Sequence, residues 1–535
     1  MKTMISSIIL ASCLALPLAS CSDSDAAPEQ KDWSTTTYFY SADAAMQDTY
    51  YKPTVGYVGD PMPFFDPVAG DFKVLYLQDF RPNPEGTYHP IWGVSTKDAA
   101  HYTSLGELVS CGTKKSQDAA IGTGSTIYDE ASKLYYTFYT GNKYLPTGDE
   151  SAQAVMVATS ADFKTWTKDR TFLLKGQDFG YDKTDFRDPF VFKGDDGKFH
   201  MLVSTKKGGK GSLAEFVSDD LKTWTDNGVF MTMMWDRFYE CPDLFKMGDY
   251  WYLVYSEIHH AIRRVQYFKG RTLDELKACT ANDAGRWPDA HEGFLDSRGL
   301  YAGKTASDGT NRYLWGWCPT RSGKDNTAVG ASPAEPEWGG NLVCYKLIQH
   351  EDGTLTLGQV DAVSEKYNQD VAVEVKESQN MTEADGTYTL AGNVEQPDAY
   401  MLMGRLGNHN KISFTVTTSN EWDKFGISMV RGSDSKKYYT MVVNPENENN
   451  RKVNFEEQGV EGKGFIAGID GYVFARPADN VYNITIYTDN SICVMYINDV
   501  CSYTNRIYGI QKNCWSIDSF NGANVTVSNL KISQY

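Results

Sequence analysis

The sequence lacks the features that define several large classes of protein. No compact cluster of lysine and arginine offsets its formal net charge of −18, so we expect no nucleic-acid partner. After the amino terminus no apolar run is long enough to cross a membrane. The ten cysteines include no C-x-x-C pair, which argues against a zinc or redox motif. Long helical periodicity is scarce, and 41% hydrophobic residues exclude wholesale disorder.

Aromatic residues are abundant instead, with 12 Trp, 34 Tyr and 25 Phe. Their flat apolar faces and polar edges suit sugar rings, although a β-rich core also uses many aromatics. The composition therefore fits an oligosaccharide or polysaccharide ligand. We expect no metal and no cofactor, because the pair His259 and His260 has no evident third ligand.

The amino terminus has the shape of an export signal. An apolar run over 5–18 precedes Ala19-Ser20-Cys21, which resembles a bacterial lipoprotein signal whose cysteine is lipidated after cleavage. Simple secretion with cleavage near Cys21 is the alternative. We expect a signal peptide over 1–21, a flexible tether over 22–38 and membrane attachment only through lipid. The expected location is the bacterial cell envelope, at the periplasmic or cell-surface face of the outer membrane.

The middle of the chain repeats. Residues 160–167 (SADFKTWT) and 218–225 (SDDLKTWT) match nearly letter for letter, and a degenerate copy begins at Ser95. Each copy follows an alternating, strand-like segment, and turn residues separate further short β-rich runs. A repeat of about 60 residues that contains several strands is typical of a β-propeller blade.

These patterns predict an all-β chain in two parts. We expect a five-bladed β-propeller over 39–365 and, after a polar stretch, a β-sandwich over 380–535. The alternative for the first part is a β-sandwich in which the sequence repeat arose by chance.

Three acidic residues stand just before prolines and strand-like runs: Asp60-Pro61, Asp188-Pro189 and Glu240-Cys241-Pro242. A lone Asp-Pro is usually a turn, but three such motifs in successive blade-sized segments indicate a site. The innermost strands of a propeller line its axis, so acids on three blades can converge. Cleavage of a glycosidic bond needs two carboxyl groups with separated pKa values, about 5–5.5 Å apart in retaining enzymes.

The motifs resemble those of glycoside hydrolase family 32, the invertase, levanase and inulinase group. Residues 187–189 match its R-D-P motif and 240–241 match its E-C motif, whereas Asp60-Pro61 matches only the core of W-x-N-D-P-N-G. Gly59 stands in place of the motif's Asn. Shorter stretches also resemble the family, at Gln78, Trp92, Ser125, 295–302 and 506–508.

The resemblance implies a five-bladed propeller followed by a sandwich, and retaining hydrolysis of β-fructosidic bonds without a cofactor. Levan- or inulin-type fructans, fructo-oligosaccharides or sucrose would be substrates. Asp60 would be the nucleophile, Glu240 the general acid/base and Asp188 the transition-state stabiliser. The remaining residues implied to bind substrate are Gln78, Trp92, Ser125 and Arg187.

Two other functions remain open. One is an inverting arabinan or xylan hydrolase that resembles family 43, with a carboxyl gap of about 6.5–9.5 Å. The other is a glycan-binding lipoprotein without turnover, which the altered loop after Asp60 favours. The sequence also leaves open whether Trp315 and Trp317, which alternate on one strand, line a cleft or pack in the core.

Overall fold

Strands dominate the computed structural model, which confirms the all-β prediction. The structure describes residues 49–80, 89–233, 238–257, 264–279, 292–321, 336–431, 437–445, 452–457, 472–473, 476–507, 509–511 and 513–535. The expected signal peptide, Cys21, the tether and the pair His259 and His260 lie outside these ranges. Among the described residues the helices are α1 (Leu273–Lys277), α2 (Asp361–Lys366) and a 3-10 turn at Gly176–Phe179. None of them is long and apolar enough to span a membrane.

The described residues of the first part of the chain form five antiparallel groups, each made of four strands that are consecutive in sequence. Their bounds are β1 (Tyr57–Asp66), β2 (Asp71–Asp79), β3 (Ile91–Thr96) and β4 (Thr103–Val109); β5 (Ala120–Asp129), β6 (Leu134–Asn142), β7 (Gln153–Ser160) and β8 (Thr167–Lys168); β9 (Phe186–Lys193), β10 (Phe199–Lys207), β11 (Lys210–Ser218) and β12 (Thr225–Thr232); β13 (Glu240–Met247), β14 (Tyr250–Glu257), β15 (Arg264–Gly270) and β16 (Glu292–Phe294); β17 (Tyr301–Ser307), β18 (Arg312–Arg321), β19 (Pro336–Gln349) and β20 (Leu355–Gly358).

The first strands of these groups contact one another in cyclic order. β1 contacts β5, β5 contacts β9, β9 contacts β13, β13 contacts β17, and β17 contacts β1. A single pairing of Val58 with Gly340 also joins the first and last groups into one sheet. Residues that occupy the same position on these five strands are therefore brought near one another.

The sequence repeat is one turn used three times. Asp162 Oδ1 accepts hydrogen bonds from the backbone N–H groups two and three residues later, both at 2.8 Å, and Asp220 Oδ1 does the same. Asp98 of the degenerate copy accepts from the equivalent groups at 3.0 and 2.9 Å. Each turn leads from the third to the fourth strand of its group, so the repeat marks equivalent places in three successive groups.

The second part of the chain contains two larger antiparallel sheets that share one hydrophobic core. One sheet contains β21 (Gln369–Val371), β23 (Met381–Ala384), β24 (Thr387–Ala391), β26 (His409–Thr418), β31 (Val481–Asp489), β32 (Ile492–Ile497), β33 (Cys501–Arg506) and β35 (Asn524–Gln534). The other contains β22 (Val375–Gln379), β25 (Ala399–Arg405), β27 (Lys424–Arg431), β28 (Lys437–Asn444), β29 (Lys452–Glu457), β30 (Tyr472–Val473) and β34 (Cys514–Phe520). Burial alternates along β26, as expected for a strand with one face on a core.

Candidate active site

Each of the five first strands carries a β-bulge near its start. The extra residues are 60–61 in β1, 123 in β5, 188–189 in β9, 241–242 in β13 and 302–303 in β17. Asp188, Cys241 and Ala302 have φ angles of 57°, 52° and 52°, a left-handed conformation that residues other than glycine seldom adopt. Bulges redirect side chains and are common next to active sites. The same distortion at one position of five strands therefore points to a shared centre.

Asp60 lies in the first bulge and accepts hydrogen bonds from two neighbouring groups of strands. The Thr123 hydroxyl donates to its Oδ2 at 2.7 Å, and the Trp317 indole N–H donates to its Oδ1 at 2.9 Å. Burial raises the pKa of Asp60, the two donors oppose that rise, and the negative charge of Glu240 adds to it. As a whole residue Asp60 is half-buried.

Asp188 is the most enclosed of the three predicted acids, with 4% of the residue exposed. Its Oδ2 accepts from the backbone N–H of Cys241 at 2.9 Å. Burial raises its pKa to about 6; Arg187 opposes the rise, whereas Glu240 and Asp60 add to it. Cys241, the neighbour of Glu240, donates its N–H to Asp188, and its thiol lies 3.9 Å from the Thr123 hydroxyl that donates to Asp60. The structure therefore gathers Asp60, Asp188 and Glu240 in one place.

Glu240 is held by a cation and a phenol. Arg187 Nη2 donates to its Oε1 at 3.0 Å, and the Tyr301 hydroxyl donates to its Oε2. Arg187 is itself fixed by Asp185, at 2.6 Å, and lies over the Phe238 ring, 3.9 Å from its centroid. The side chains of Glu240 and Arg187 remain 17% and 19% exposed, so both can be reached by a ligand.

The other three predicted binding residues contact the protein itself. The Gln78 side chain is fully buried and donates to the Val55 carbonyl. The Ser125 hydroxyl donates to the Pro189 carbonyl at 2.9 Å and accepts from the Val191 N–H at 2.9 Å, which ties β5 to β9 beside Asp188. Trp92 is half-buried, with its ring edge-on to Phe80. Their binding of substrate stays a prediction.

Sequence reasoning did not pair Thr123, Tyr301 and Trp317 with the acids that they contact, and it missed Lys304. Tyr301 lies in the stretch 295–302 that resembles the family, but nothing in the sequence paired it with Glu240. Lys304 is buried, and its ammonium donates to the Gly124 carbonyl at 2.7 Å. Burial lowers the pKa of Lys304, while Cys241, Asp243, Asp188 and Asp60 oppose that change. A buried lysine therefore lies near the acids.

The two tryptophans left open by the sequence have different partners. Both indoles are fully buried, so neither presents a face to a cleft. Trp317 donates to Asp60, whereas Trp315 donates to the Tyr102 hydroxyl at 3.2 Å within the core of the first part.

Gly59 accommodates an aromatic ring beside Asp60. A Cβ atom at residue 59 would lie 2.2 Å from Cη2 of Trp338. The Trp338 ring in turn stacks on His89, with centroids 4.2 Å apart, and lies 6.1 Å from the Trp317 ring. The indole fills the space that any larger residue at position 59 would need, which accounts for the glycine.

Among the described residues no group of three or more His, Cys, Asp and Glu side chains is placed to hold a metal ion. Six of the eight described cysteines are buried. The three predicted acids have different surroundings: Asp60 accepts from neutral donors, Glu240 is bound to an arginine and a phenol, and Asp188 is almost fully buried. Carboxyl groups in different surroundings can act as acid and base at the same site.

Comparison with known proteins bears on the family and the fold of the chain. Residues 50–360 match the family model described as the glycosyl hydrolases family 32 N-terminal domain, and 353–532 match the model for the GH32, BT1760-like, C-terminal domain. The chain is 26% identical to the insoluble β-fructofuranosidase isoenzyme CWINV2 of Arabidopsis thaliana, over 52% of this chain and 50% of that protein. It is 27% identical to the sucrose-6-phosphate hydrolase of Vibrio alginolyticus, over 42% and 45%. The matches thus span about half the length of these relatives.

Solved structures share the fold. The sucrose-6-phosphate hydrolase of Lactobacillus gasseri superposes with a TM-score of 0.68 at 19% identity, covering 94% of this chain and 97% of that one. The fructan 1-exohydrolase IIa of Cichorium intybus gives 0.67 at 14% identity, covering 92% and 98%. Since the first family model alone matches more than half of the sequence, this chain belongs to glycoside hydrolase family 32.

Proposed function

We propose that the protein is a retaining glycoside hydrolase that cleaves β-fructosidic bonds. Its substrates are fructans of the levan or inulin type, fructo-oligosaccharides or sucrose. The observation that carries this proposal is the meeting of Asp60, Asp188 and Glu240 at the bulges of three first strands, where each acid has different partners. Family membership and the names of the relatives, a β-fructofuranosidase and sucrose-6-phosphate hydrolases, support the substrate class.

In the proposed reaction Asp60 attacks the anomeric carbon of the fructosyl unit. Its bonds from Thr123 and Trp317 favour the ionised form, which a nucleophile needs. Glu240 protonates the leaving oxygen and then accepts a proton from the water that hydrolyses the fructosyl-enzyme. Asp188 hydrogen-bonds ring hydroxyls and strengthens that grip in the transition state. Arg187 and Tyr301 orient Glu240 for both proton transfers.

We further propose that the five antiparallel groups are the blades of a five-bladed propeller and that the two larger sheets form a sandwich. The cyclic contacts of the first strands and the common core of the two sheets support this arrangement. Two solved structures with a similar fold contain a sugar: a Bombyx mori β-fructofuranosidase with sucrose and a Cichorium intybus fructan 1-exohydrolase with 1-kestose. These complexes support a fructoside as the ligand of this protein.

Attachment to the cell envelope is part of the proposal. Ala19-Ser20-Cys21 after an apolar run supports lipidation at Cys21, which would hold the enzyme to a membrane by acyl chains. Metabolic labelling with a palmitate analogue tests this, because Cys21→Ser should abolish the label and release the protein into the soluble fraction. Persistent labelling of Cys21→Ser contradicts it.

The test of function is an assay of the chain without residues 1–21 on levan, inulin, sucrose and arabinan. Fructose or fructo-oligosaccharide products are expected. Methanol added as acceptor should give methyl β-fructofuranoside, since two successive inversions retain configuration. Release of arabinose instead favours the family 43-like alternative, and binding without product favours a glycan-binding protein.

A further inference from the structure

Strand β33 of the second part of the chain lies against two segments of the first part. One segment, 295–299, leads into β17, which begins with Tyr301, the phenol that donates to Glu240. The other, 318–319, directly follows Trp317, the indole that donates to Asp60. A single strand outside the acidic site therefore contacts the chain next to both aromatic donors.

Arg506, the last residue of β33, fixes the second segment. Its guanidinium is 1% exposed and donates to the Cys318 carbonyl at 3.0 Å and to the Pro319 carbonyl at 3.1 Å. The same group donates to Asn341 Oδ1 at 2.6 Å and to Ser491 Oγ at 2.9 Å. A planar guanidinium with several fixed donors holds its acceptors in one geometry, which the point charge of a lysine cannot do. The backbone just after Trp317 is thus held by the second part of the chain.

Thr504 fixes the first segment through a buried carboxylate. Its N–H and its hydroxyl each donate to Asp296, at 2.8 and 2.8 Å, and Ser502 donates to Asp296 at 3.0 Å. The Ser297 hydroxyl returns a bond to the Thr504 carbonyl at 2.6 Å. A Cβ atom at Gly299 would lie 1.9 Å from that carbonyl oxygen, so the two backbones approach as closely as glycine allows.

We propose that Arg506 and Thr504 are positioning residues for the reaction, because β33 sets the places of the Trp317 and Tyr301 donors that hold Asp60 and Glu240. The inference rests on the proposed function of those two acids. An interface that only stabilises the fold needs buried contacts, but those contacts need not lie next to site residues in the sequence. Here both fixed segments lie within six residues of a side chain that contacts a reacting carboxylate.

Kinetics of Arg506→Lys and Thr504→Val test the proposal, with Asp489→Asn as the matched control. Asp489 is also a buried contact between the two parts, accepting from the N–H groups of Thr49 and Tyr50 at 2.9 and 2.9 Å, but it does not adjoin either donor. At a temperature where all variants are folded, Arg506→Lys should lower kcat about tenfold with little change in KM. The acidic limb of its kcat profile should move to higher pH. Thr504→Val should lower kcat less, and Asp489→Asn should lower Tm alone.

Hydrogen exchange without substrate separates this inference from the proposed function. Amides of β17 and β18 should exchange faster in Arg506→Lys than in Asp489→Asn, while those of β5 and β9 stay unchanged. This result is expected even if the wild-type chain hydrolyses none of the fructans. Exchange, kcat and pH profile that match the wild type in both Arg506→Lys and Thr504→Val overturn the proposal, as does an equal kinetic loss in Asp489→Asn.

Discussion

Asp188 and Asp296 are both buried carboxylates whose pKa burial raises, yet their surroundings differ. Asp296 accepts four hydrogen bonds, from the N–H groups of Ser297 and Thr504 and from the hydroxyls of Ser502 and Thr504. All four donors are neutral. Asp188 accepts one backbone N–H, and its other influences are the positive Arg187 and the negative Glu240 and Asp60.

The difference distinguishes Asp296, a buried contact between the two parts of the chain, from Asp188, a residue of the proposed active site. Neutral donors around one acid satisfy its lone pairs and resist any change of charge. Crowded acids, one of them on a left-handed bulge residue, cost conformational and electrostatic free energy, and such costs are typical of functional sites. Substitutions at the two places should therefore have opposite signatures in activity and stability.

The largest contrast is expected between Asp60→Asn and Asp296→Asn. If Asp60 is the nucleophile, its amide should lower kcat/KM on sucrose or fructan by about 10⁴-fold or more while the fold remains intact. In Asp296→Asn an amide N–H would face donors, and the variant should lose about 1–3 kcal/mol of unfolding free energy. Its activity should remain within about tenfold of the wild type. Turnover assays and thermal unfolding of both proteins measure the pair.

An Asp60→Asn enzyme with normal turnover would remove the nucleophile from the proposal. Equal loss of activity in both variants would remove the distinction between a residue of the interface and a residue of the active site.

Glu240→Gln should have the next largest effect. The amide keeps the size of the side chain but cannot donate the proton that the leaving alcohol needs, so turnover of sucrose should fall about 10²–10⁴-fold. With a fructosyl fluoride as substrate, the fluoride leaves without protonation, so turnover should fall much less. If both substrates lose the same factor, Glu240 is not the general acid.

Much of this contrast could be foreseen from the sequence, and part of it could not. Prolines one or two residues later marked the three acids as motifs, and alternation located the strands. The donors were not foreseen, because Thr123 and Trp317 reach Asp60 from strands 63 and 257 residues away. Periodicity gives a side chain's face but not its partner in another group of strands.

The pH dependence of stability should distinguish Asp188 from an ordinary surface acid. Because its folded-state pKa is about 6 and the ordinary value is 3.8, the folded protein retains a proton that the unfolded chain releases between these values. The folded state then binds more protons, so stability falls as pH rises from about 4 to about 6. This group alone accounts for about 3 kcal/mol.

Asp188→Asn should lack that part of the slope, which urea unfolding at pH 4, 5, 6 and 7 measures. Parallel curves for the variant and the wild type would show that Asp188 stays ionised across this range.

The smallest and sharpest comparison lies on one strand, between Trp317→Phe and Trp315→Phe. Each substitution removes one indole N–H from a fully buried position of β18, but one donor serves Asp60 and the other the Tyr102 hydroxyl. Loss of the Trp317 donor raises the pKa of Asp60 further, because that bond favours the ionised form. The acidic limb of the Trp317→Phe profile should therefore move to higher pH, and kcat should fall about tenfold, the equivalent of one hydrogen bond to a charge. Trp315→Phe should lose a similar amount of stability and keep the wild-type profile. Identical pH profiles of kcat in the two variants would mean that the hydrogen bond from Trp317 to Asp60 contributes to packing alone.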